Sequence, residues 1–159
     1  EEIQSEVISL RDNGRKSHTT FDKLGFTMRL NTVNAAIGRI QLSHLDERNI
    51  KRRKIAELYK KCLGEDYFLM ENPDGYSVFH QIIFRHKRRD EIVKHLSKNG
   101  IGTAIHYLMP IHKQPLYSYL NLTLSVSEEF SNQVLSLPSY PQLSDDDVKL
   151  VCETIGQIL

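Results

Sequence analysis

The stretch of residues 31–64 constrains the fold more than any other part of the chain, because it carries the pattern of one long amphipathic helix. Asn31 is placed to cap the start of this helix, since its side-chain oxygen can accept hydrogen bonds from amides of the first turn. Gly64 is placed to end the helix in the left-handed conformation. Apolar side chains recur between these ends at the three- and four-residue spacing of one helical face: Val33, Ala36, Ile37, Ile40, Ile55, Leu58, Tyr59 and Cys62.

The remainder of the chain predicts a small sheet with further helices. Residues 72–75 have the composition of a turn, and residues 77–86 and 101–107 have the composition of strands. If these strands are parallel neighbours, their crossover should be right-handed. Helices are predicted at 90–99, from Ser125 to about Leu135 with Glu128 completing a capping box, and after Ser144. The sequence therefore predicts an α/β (α+β) fold, a long helix plus a small sheet covered by helices.

Composition excludes several classes of protein. The 159 residues suit one domain, and 40% hydrophobic with 26% charged residues is typical of a globular protein. The net charge of +1 indicates neither a nucleic-acid partner nor an anionic membrane. No apolar run approaches the ~20 residues of a membrane helix, and the start lacks the pattern of a signal peptide. Because the chain starts at Glu1 instead of methionine, we expect it to be a piece of a longer or processed protein.

Two cysteines and one basic run bear on the remaining alternatives. Cys62 and Cys152 lie far apart in the sequence, which argues against a disulfide scaffold or a zinc ribbon, and a reducing cytoplasm is the expected location. Residues 51–54, Lys-Arg-Arg-Lys, could belong to a DNA-reading helix, but Glu47 lies four residues before Lys51 and favours a solvated, ion-paired face. His80, His86 and His106 could form a metal site, although core or surface positions are the simpler interpretation.

Several motifs resemble those of one enzyme family. Residues 25–29, Gly-Phe-Thr-Met-Arg, are followed by Asn31, by Ala35-Ala36 and by Gln41-Leu42, and this order resembles the sugar aminotransferases of the DegT/StrS type, which usually carry Gly-x-Asn-x-Arg here. Further motifs follow in the family's order: residues 77–84, Arg89-Asp90, Gly100-Ile101, His106-Tyr107, Pro110, His112, Gln114-Pro115, residues 136–138 and Pro141. The resemblance covers nearly the whole chain from Arg11 onward.

This resemblance implies a pyridoxal-phosphate enzyme of the aspartate-aminotransferase fold (fold type I). In such enzymes the Schiff-base lysine, the carboxylate that faces the pyridine nitrogen and the stacking aromatic all lie upstream of the region that begins at Glu1. The chain is therefore expected to be a C-terminal part that is inactive alone. Residues 1–30 would be the end of the large domain with its interface turn, 31–64 the connecting helix, and 65–159 the small domain. We expect no catalytic residue in this segment.

The resemblance also implies roles for five residues. The family is dimeric with a shared active site, and the turn before the long helix brings Thr27, in place of the usual asparagine, near the cofactor phosphate of the neighbouring subunit. Arg29 would bind a substrate carboxylate or phosphate, or else form a structural ion pair. His106, Tyr107 and His112 would line the substrate side of the site. The implied reaction transfers an amino group from an amino acid, usually glutamate, to a keto group of a nucleotide-linked deoxysugar.

The sequence leaves one alternative function open and predicts self-association. A non-enzymatic regulatory or interaction module could keep the same fold, with residues 51–54 touching nucleic acid. In addition, a small domain without its large domain should leave part of the long helix uncovered, and we expect such exposed apolar surface to cause self-association.

Overall fold

The computed structural model describes residues 1–69, 71 and 74–159, and these fall into two compact units, Glu1–Leu45 and Asp46–Leu159. The first unit contains α1 (Glu2–Arg11) and α2 (Thr32–Ser43). The second begins within α3 (Leu45–Leu63) and continues with β1 (Ile82–Arg85), α4 (Arg89–Lys98), α5 (Ser125–Gln133), β2 (Val134–Leu137) and α6 (Asp145–Gly156). Within the described ranges, none of the helices combines the length and the hydropathy needed to cross a bilayer.

The predicted helix over residues 31–64 is two helices, α2 and α3, separated at His44. Asn31 caps α2 as predicted, and its side chain accepts a hydrogen bond from the Asn34 amide at 2.8 Å. At the other end, the Ser43 hydroxyl donates to the Ile40 carbonyl at 2.8 Å, and His44 has φ −106° and ψ 5°. A serine that hydrogen-bonds back to its own helix competes with helix continuation, which accounts for the break. Gly64 follows α3 with φ 97° and ψ 141°, so the predicted glycine does end α3, but outside the left-handed helical region.

The sheet of the second unit differs from the predicted one. β1 lies within the predicted strand 77–86, but it pairs antiparallel with β2, with Ile82 opposite Leu137 and Arg85 opposite Val134. The strand predicted at 101–107 is wrong, because these residues contribute one isolated bridge, between Ala104 and Ser136, and the case of two parallel neighbours does not arise. Residues 134–135, predicted as the end of a helix, start β2 instead. All four residues of β2 are buried, so the strand lacks the alternation that identifies a half-exposed strand in a sequence.

A hydrophobic core holds the second unit together. Tyr59 of α3, Phe84 of β1 and Leu135 of β2 are completely buried in it. The core also contains buried residues from α4 and α6, namely Ile92, Leu96, Val148, Val151, Cys152 and Ile155. The observed fold is thus the predicted combination of helices with a small sheet.

The N-cap of α6 is the predicted residue, whereas the N-cap of α5 lies one residue before the predicted one. Ser144 and Asp147 form a capping box, in which the Ser144 hydroxyl accepts from the Asp147 amide at 3.1 Å. At α5 the N-cap is Leu124 and not Ser125, and the Glu128 carboxylate accepts from the Leu124 amide at 3.0 Å. Of the turn predicted at 72–75, positions 72 and 73 lie outside the described residues.

Candidate active-site segments

The first candidate segment is the turn of the first unit that carries Thr27 and Arg29. Two backbone strands meet here at an antiparallel bridge between Asp12 and Thr27. The Asn13 amide donates to the Phe26 carbonyl at 3.0 Å, on one side of this bridge. Gly25 must be glycine in this arrangement, because a Cβ on it would lie 2.1 Å from the backbone nitrogen of Gly14. The glycine that opens the motif at 25–29 therefore permits the close approach that fixes the position of Thr27.

Thr27 uses its hydroxyl proton inside the chain. Its Oγ1 donates to Oδ1 of Asn13 at 2.8 Å, and Asn13 itself has a positive φ of 63°. A threonine hydroxyl has one proton, so Thr27 as placed cannot also donate to a phosphate. The amide group of Asn13, whose oxygen accepts this bond, retains two N–H donors on Nδ2. Asn13, a residue for which the sequence predicts no role, thus carries two amide donors next to Thr27.

Arg29 forms an ion pair and remains largely accessible. Its Nε lies 3.2 Å from Oδ1 of Asp12, while the second oxygen of Asp12 lies 3.4 Å from Nε of Arg15. The structural ion pair considered for Arg29 is thus present. The Arg29 side chain is nevertheless 61% exposed, and a guanidinium group held by one carboxylate still has donors for a second anion.

The second candidate segment is an open cavity of about 970 Å³ within the second unit, and it brings together three of the five predicted site residues, His106, Tyr107 and His112. These residues lie in a turn and in a short 3₁₀ helix, Ile111–Lys113, so the predicted placement of His106 and Tyr107 at a strand end is wrong. Most of the other residues that line the cavity are apolar, among them Leu69, Ile83, Met109, Tyr117, Leu120, Leu124, Phe130 and Val134.

His106 is held in the cavity wall by the sheet. Its Nδ1 lies 2.8 Å from Oγ of Ser136, and Ser136 in turn exchanges backbone hydrogen bonds with Ala104. This contact fixes the imidazole ring. The other ring nitrogen, Nε2, can then donate or accept a hydrogen bond, depending on the tautomer. Because Ser136 lies thirty residues away in the sequence, local patterns gave no sign of this pairing.

His112 is engaged with Glu128 of α5. His112 is buried, and its Nε2 lies 3.0 Å from Oε1 of Glu128, which also accepts from the Leu124 amide and lies 3.2 Å from Nζ of Lys113. The bond from His112, followed by that from the Leu124 amide, lowers the pKa of the Glu128 carboxyl to about 2. His112 therefore ties the 3₁₀ segment to the start of α5, and this contact determines one wall of the cavity.

Tyr107 is the most accessible of the predicted residues in this cavity. Its ring lies edge-on to His106 with the centroids 5.4 Å apart, and its side chain is largely exposed. An apolar cavity with a few polar groups is the usual form of a small-molecule site. Here the imidazole of His106 and the phenol of Tyr107 could hydrogen-bond a polyhydroxylated ligand, while the apolar lining would contact faces that lack hydroxyl groups.

The metal alternative finds no geometric support. Among residues 1–69, 71 and 74–159, no three His, Cys, Asp or Glu side chains are grouped so that they could hold a metal ion. His86 accepts a hydrogen bond from the Arg88 amide at 3.1 Å and packs on Tyr67, whereas His106 pairs with Ser136. Within the described part of the chain, His80, His86 and His106 therefore do not form a group that could hold a metal ion.

The basic run at 51–54 is partly committed to contacts within the chain. Lys51 pairs with Glu47 at 2.7 Å, as the sequence spacing predicts. The guanidinium of Arg53 lies 3.7 Å from the centroid of the Tyr76 ring and donates to the Ser77 carbonyl at 2.8 Å. These contacts favour a structural role for the run over a nucleic-acid surface.

Comparison with known proteins gives matches over nearly the whole chain. Residues 1–156 match the DegT/DnrJ/EryC1/StrS aminotransferase family. A UDP-N-acetyl-3-dehydro-alpha-D-glucosamine 3-aminotransferase of Acidithiobacillus ferrooxidans is 34% identical over 99% of this chain and 44% of its own length. A pleiotropic regulatory protein of Geobacillus stearothermophilus is 32% identical, also over 99% of this chain and 44% of its own length. The chain thus spans less than half the length of these relatives.

The fold is also that of known aminotransferase structures. The crystal structure of DesV from S. venezuelae, in complex with a ketimine intermediate, superposes with a TM-score of 0.91 and 31% identity over 99% of this chain and 44% of that protein. The predicted fold class is therefore confirmed.

Proposed function

The chain belongs to the DegT/DnrJ/EryC1/StrS aminotransferase family, and from this membership we propose that it forms the C-terminal part of a nucleotide-sugar aminotransferase. The proposed reaction moves an amino group from an amino acid such as glutamate to a keto group of a nucleotide-linked deoxysugar. The observation that carries the proposal is the family match over residues 1–156, because it includes both candidate segments. A relative that acts on a UDP-linked keto sugar supports the substrate class.

The cofactor proposed for the whole enzyme is pyridoxal phosphate, which supplies an electron sink for bonds to the amino-bearing carbon. Around the predicted phosphate contact, the residues present fit such a group through Asn13 and Arg29 instead of through Thr27. The Thr27 hydroxyl donates to the side-chain oxygen of Asn13, so the two N–H groups of the Asn13 amide would bind phosphate oxygens. Arg29 adds a positive charge from the same turn.

The cavity residues would act on the sugar. His106 and Tyr107 would hydrogen-bond sugar hydroxyls and orient the keto carbon, while the apolar lining would exclude water from the deoxygenated face of the ring. His112, through its hydrogen bond with Glu128, would keep the 3₁₀ segment and the start of α5 in place as one wall of the cavity. The Schiff-base lysine would come from a part of the enzyme outside these 159 residues, so we expect the 159-residue chain alone to be inactive.

We further propose a homodimer with a shared active site, and a cytoplasmic location. Both follow from the family resemblance. A turn such as 25–29, which presents an exposed arginine beside an amide-bearing loop, is suited to reach a site that is completed by a second subunit.

The test begins with the native protein, isolated from its source cells with an antibody raised against this chain. A polypeptide more than twice this size that carries pyridoxal phosphate and aminates a nucleotide-linked keto sugar with glutamate would support the proposal. A polypeptide of this size without cofactor or activity, even with added cofactor, would overturn it.

Variants of the active native protein would then test the sugar site. Tyr107→Phe should raise KM for the nucleotide sugar about tenfold, the usual effect of one lost hydrogen bond, without a change in KM for glutamate. Tyr119→Phe is the matched control, because Tyr119 is exposed and lies outside the residues that line the cavity. Equal KM values for both variants would remove Tyr107 from the site.

A regulatory module is the second candidate, and the Geobacillus stearothermophilus relative named as a pleiotropic regulatory protein favours it. If residues 51–54 bind nucleic acid, the affinity must fall by roughly one log unit per log unit of salt for each phosphate neutralised. Titration of duplex DNA with the purified chain would measure this slope, and no binding at low salt would exclude the candidate.

A further inference from the structure

Ser136 and His106 form a hydrogen bond whose direction follows from the other contacts of the two side chains. Ser136 lies on β2 and is buried, with 6% of its surface exposed. Its backbone is held in place, because its amide donates to the Ala104 carbonyl at 2.7 Å and its carbonyl accepts from the Ala104 amide at 3.3 Å. The 2.8 Å contact between Oγ of Ser136 and Nδ1 of His106 therefore ties the His106 ring to a fixed point of the sheet.

This hydrogen bond can be made in two ways when the imidazole is neutral. Either the Ser136 hydroxyl donates to Nδ1 and the ring carries its proton on Nε2, or the hydroxyl accepts from a proton on Nδ1. In the second case the hydroxyl proton of Ser136 would need another acceptor. Within the described part of the chain, His106 is the one hydrogen-bond partner that this hydroxyl has. A buried hydroxyl proton without an acceptor is unfavourable, so the first arrangement is the one that satisfies both side chains.

Resting on the proposed function, we infer that Ser136 is a positioning residue of the sugar site, which holds neutral His106 in the tautomer with its proton on Nε2. His106 then donates a hydrogen bond from Nε2 to an oxygen of the substrate. It has no free basic nitrogen, because Nδ1 is already occupied by the Ser136 hydroxyl. Ser136 lies outside the residues that line the large cavity, so it acts on the substrate through His106.

This assignment gives the two polar residues of the cavity wall different roles. His106 selects an oxygen that accepts a hydrogen bond, such as the keto oxygen of the sugar, which has lone pairs and no proton of its own. His106 therefore orients the substrate and does not take up a proton in the reaction. The phenol of Tyr107 can both donate and accept, so it is suited to a sugar hydroxyl.

The tautomer can be measured directly on the full 159-residue chain, labelled with nitrogen-15. Long-range proton–nitrogen NMR correlations are recorded at alkaline pH, where histidine side chains are neutral, and His106→Gln identifies the His106 signals by their loss. In the wild-type chain, Nε2 of His106 should have the chemical shift of a protonated nitrogen and Nδ1 that of an unprotonated one. Ser136→Ala should change this pattern, because the other tautomer becomes populated. Ser136→Thr keeps a hydroxyl group and should retain the wild-type pattern.

Ser139→Ala is the matched control for the NMR measurement. The Ser139 hydroxyl donates to the Phe79 carbonyl at 2.8 Å, so alanine removes one hydrogen bond of the same length but none to His106. The His106 pattern should therefore be that of the wild type. A wild-type chain with the proton on Nδ1, or the same His106 pattern in the wild type and in Ser136→Ala, would overturn the inference. The first of these results is read from the wild-type chain and does not depend on a Ser136 variant that folds.

The effect on the substrate is tested with the active native protein. Ser136→Ala should lower kcat/KM for the nucleotide sugar about tenfold, the usual effect of one weakened hydrogen bond, with KM for glutamate unchanged. Ser139→Ala should leave both values as in the wild type. An unchanged kcat/KM for the nucleotide sugar in Ser136→Ala would overturn the positioning role. Because the NMR measurement needs no active enzyme, a failure of the tautomer assignment is distinguished from a failure of the proposed function.

Discussion

Glu128 shows how a single carboxylate can hold a cavity wall. Its pKa of about 2 lies below the ordinary 4.5 because His112, the Leu124 amide and Lys113 all stabilise the charged form. Between pH 4.5 and about 2, this carboxyl is therefore protonated in the unfolded chain but not in the folded chain. The contribution of Glu128 to stability is fully present above pH 4.5 and is lost as the pH falls towards 2.

Replacement of Glu128 by glutamine should remove this pH dependence. Glu128→Gln keeps the shape and one acceptor oxygen but loses the charge, so we expect lower stability at neutral pH and a smaller further loss on acidification. Urea unfolding of both proteins above and within the window from pH 4.5 to 2 measures the effect. Glu57→Gln on the exposed face of α3 is the control and should follow the wild-type curve. If the free energy of unfolding falls equally with pH in Glu128→Gln and in the wild-type chain, the charge of Glu128 does not stabilise the fold.

At the residue scale, the sequence identified positions but not their partners. The motif at 25–29 and the pair His106-Tyr107 were found from the sequence, and the structure places each in a defined turn. The contacts that determine their chemistry come from residues outside these motifs: Asn13 accepts the hydrogen bond of the Thr27 hydroxyl, Ser136 bonds to His106, and Glu128 bonds to His112. Tertiary folding brings these partners together, and neither periodicity nor motif spacing encodes such contacts in a single sequence.

At the scale of elements, the capping box predicted at Ser125 and the cap predicted at Ser144 make a direct test of the helix starts. Ser144→Ala removes the acceptor for the Asp147 amide and should lower the free energy of unfolding by about 1 kcal/mol. Ser125→Ala should have little effect, because the N-cap of α5 is Leu124 and its amide bonds to Glu128.

Chemical denaturation of the two variants in parallel gives the comparison. The two substitutions are chemically identical. Ser125 lies within α5, so alanine there can gain at most about 0.7 kcal/mol from helix propensity, and such a gain cannot account for a loss of stability at Ser144. Equal losses would mean that Ser125 caps α5 after all, and the assigned helix start would then be wrong.

Elements with a strong local signal were predicted well, and elements stabilised by tertiary contacts were not. The starts of α2 and α6 carry Asn31 and Ser144, whose side chains make the caps regardless of what packs nearby. β2 was missed because its first two residues, 134 and 135, were predicted as the end of the preceding helix and its four buried residues do not alternate. Strand 101–107 was predicted, but these residues make one isolated bridge, between Ala104 and Ser136. Register and pairing depend on which segments meet, and composition alone does not determine this.

At the scale of the whole molecule, the two units bury their apolar residues to different extents. The second unit has a continuous core that includes α3, both strands and α4 to α6. In the first unit, neither α1 nor α2 has a buried residue. The apolar stripe predicted from residue 33 onward therefore contains buried residues only in its second half, where Ile55 and Tyr59 are buried. The first half of the stripe, on α2, is an exposed apolar helix face.

This exposed stripe should make the chain self-associate. Val33, Ile37 and Ile40 lie on one face of α2 and are 69%, 53% and 61% exposed, and apolar side chains in such a row gain free energy when a second copy covers them. Light scattering should show a mass that rises with concentration, and Ile37→Glu with Ile40→Glu should weaken association at least roughly tenfold. Leu150→Glu is the control, because Leu150 is a similarly exposed residue, at 53%, on α6 in the other unit. A strictly monomeric wild-type chain at high concentration, or equal weakening by Leu150→Glu, would show that α2 does not mediate association.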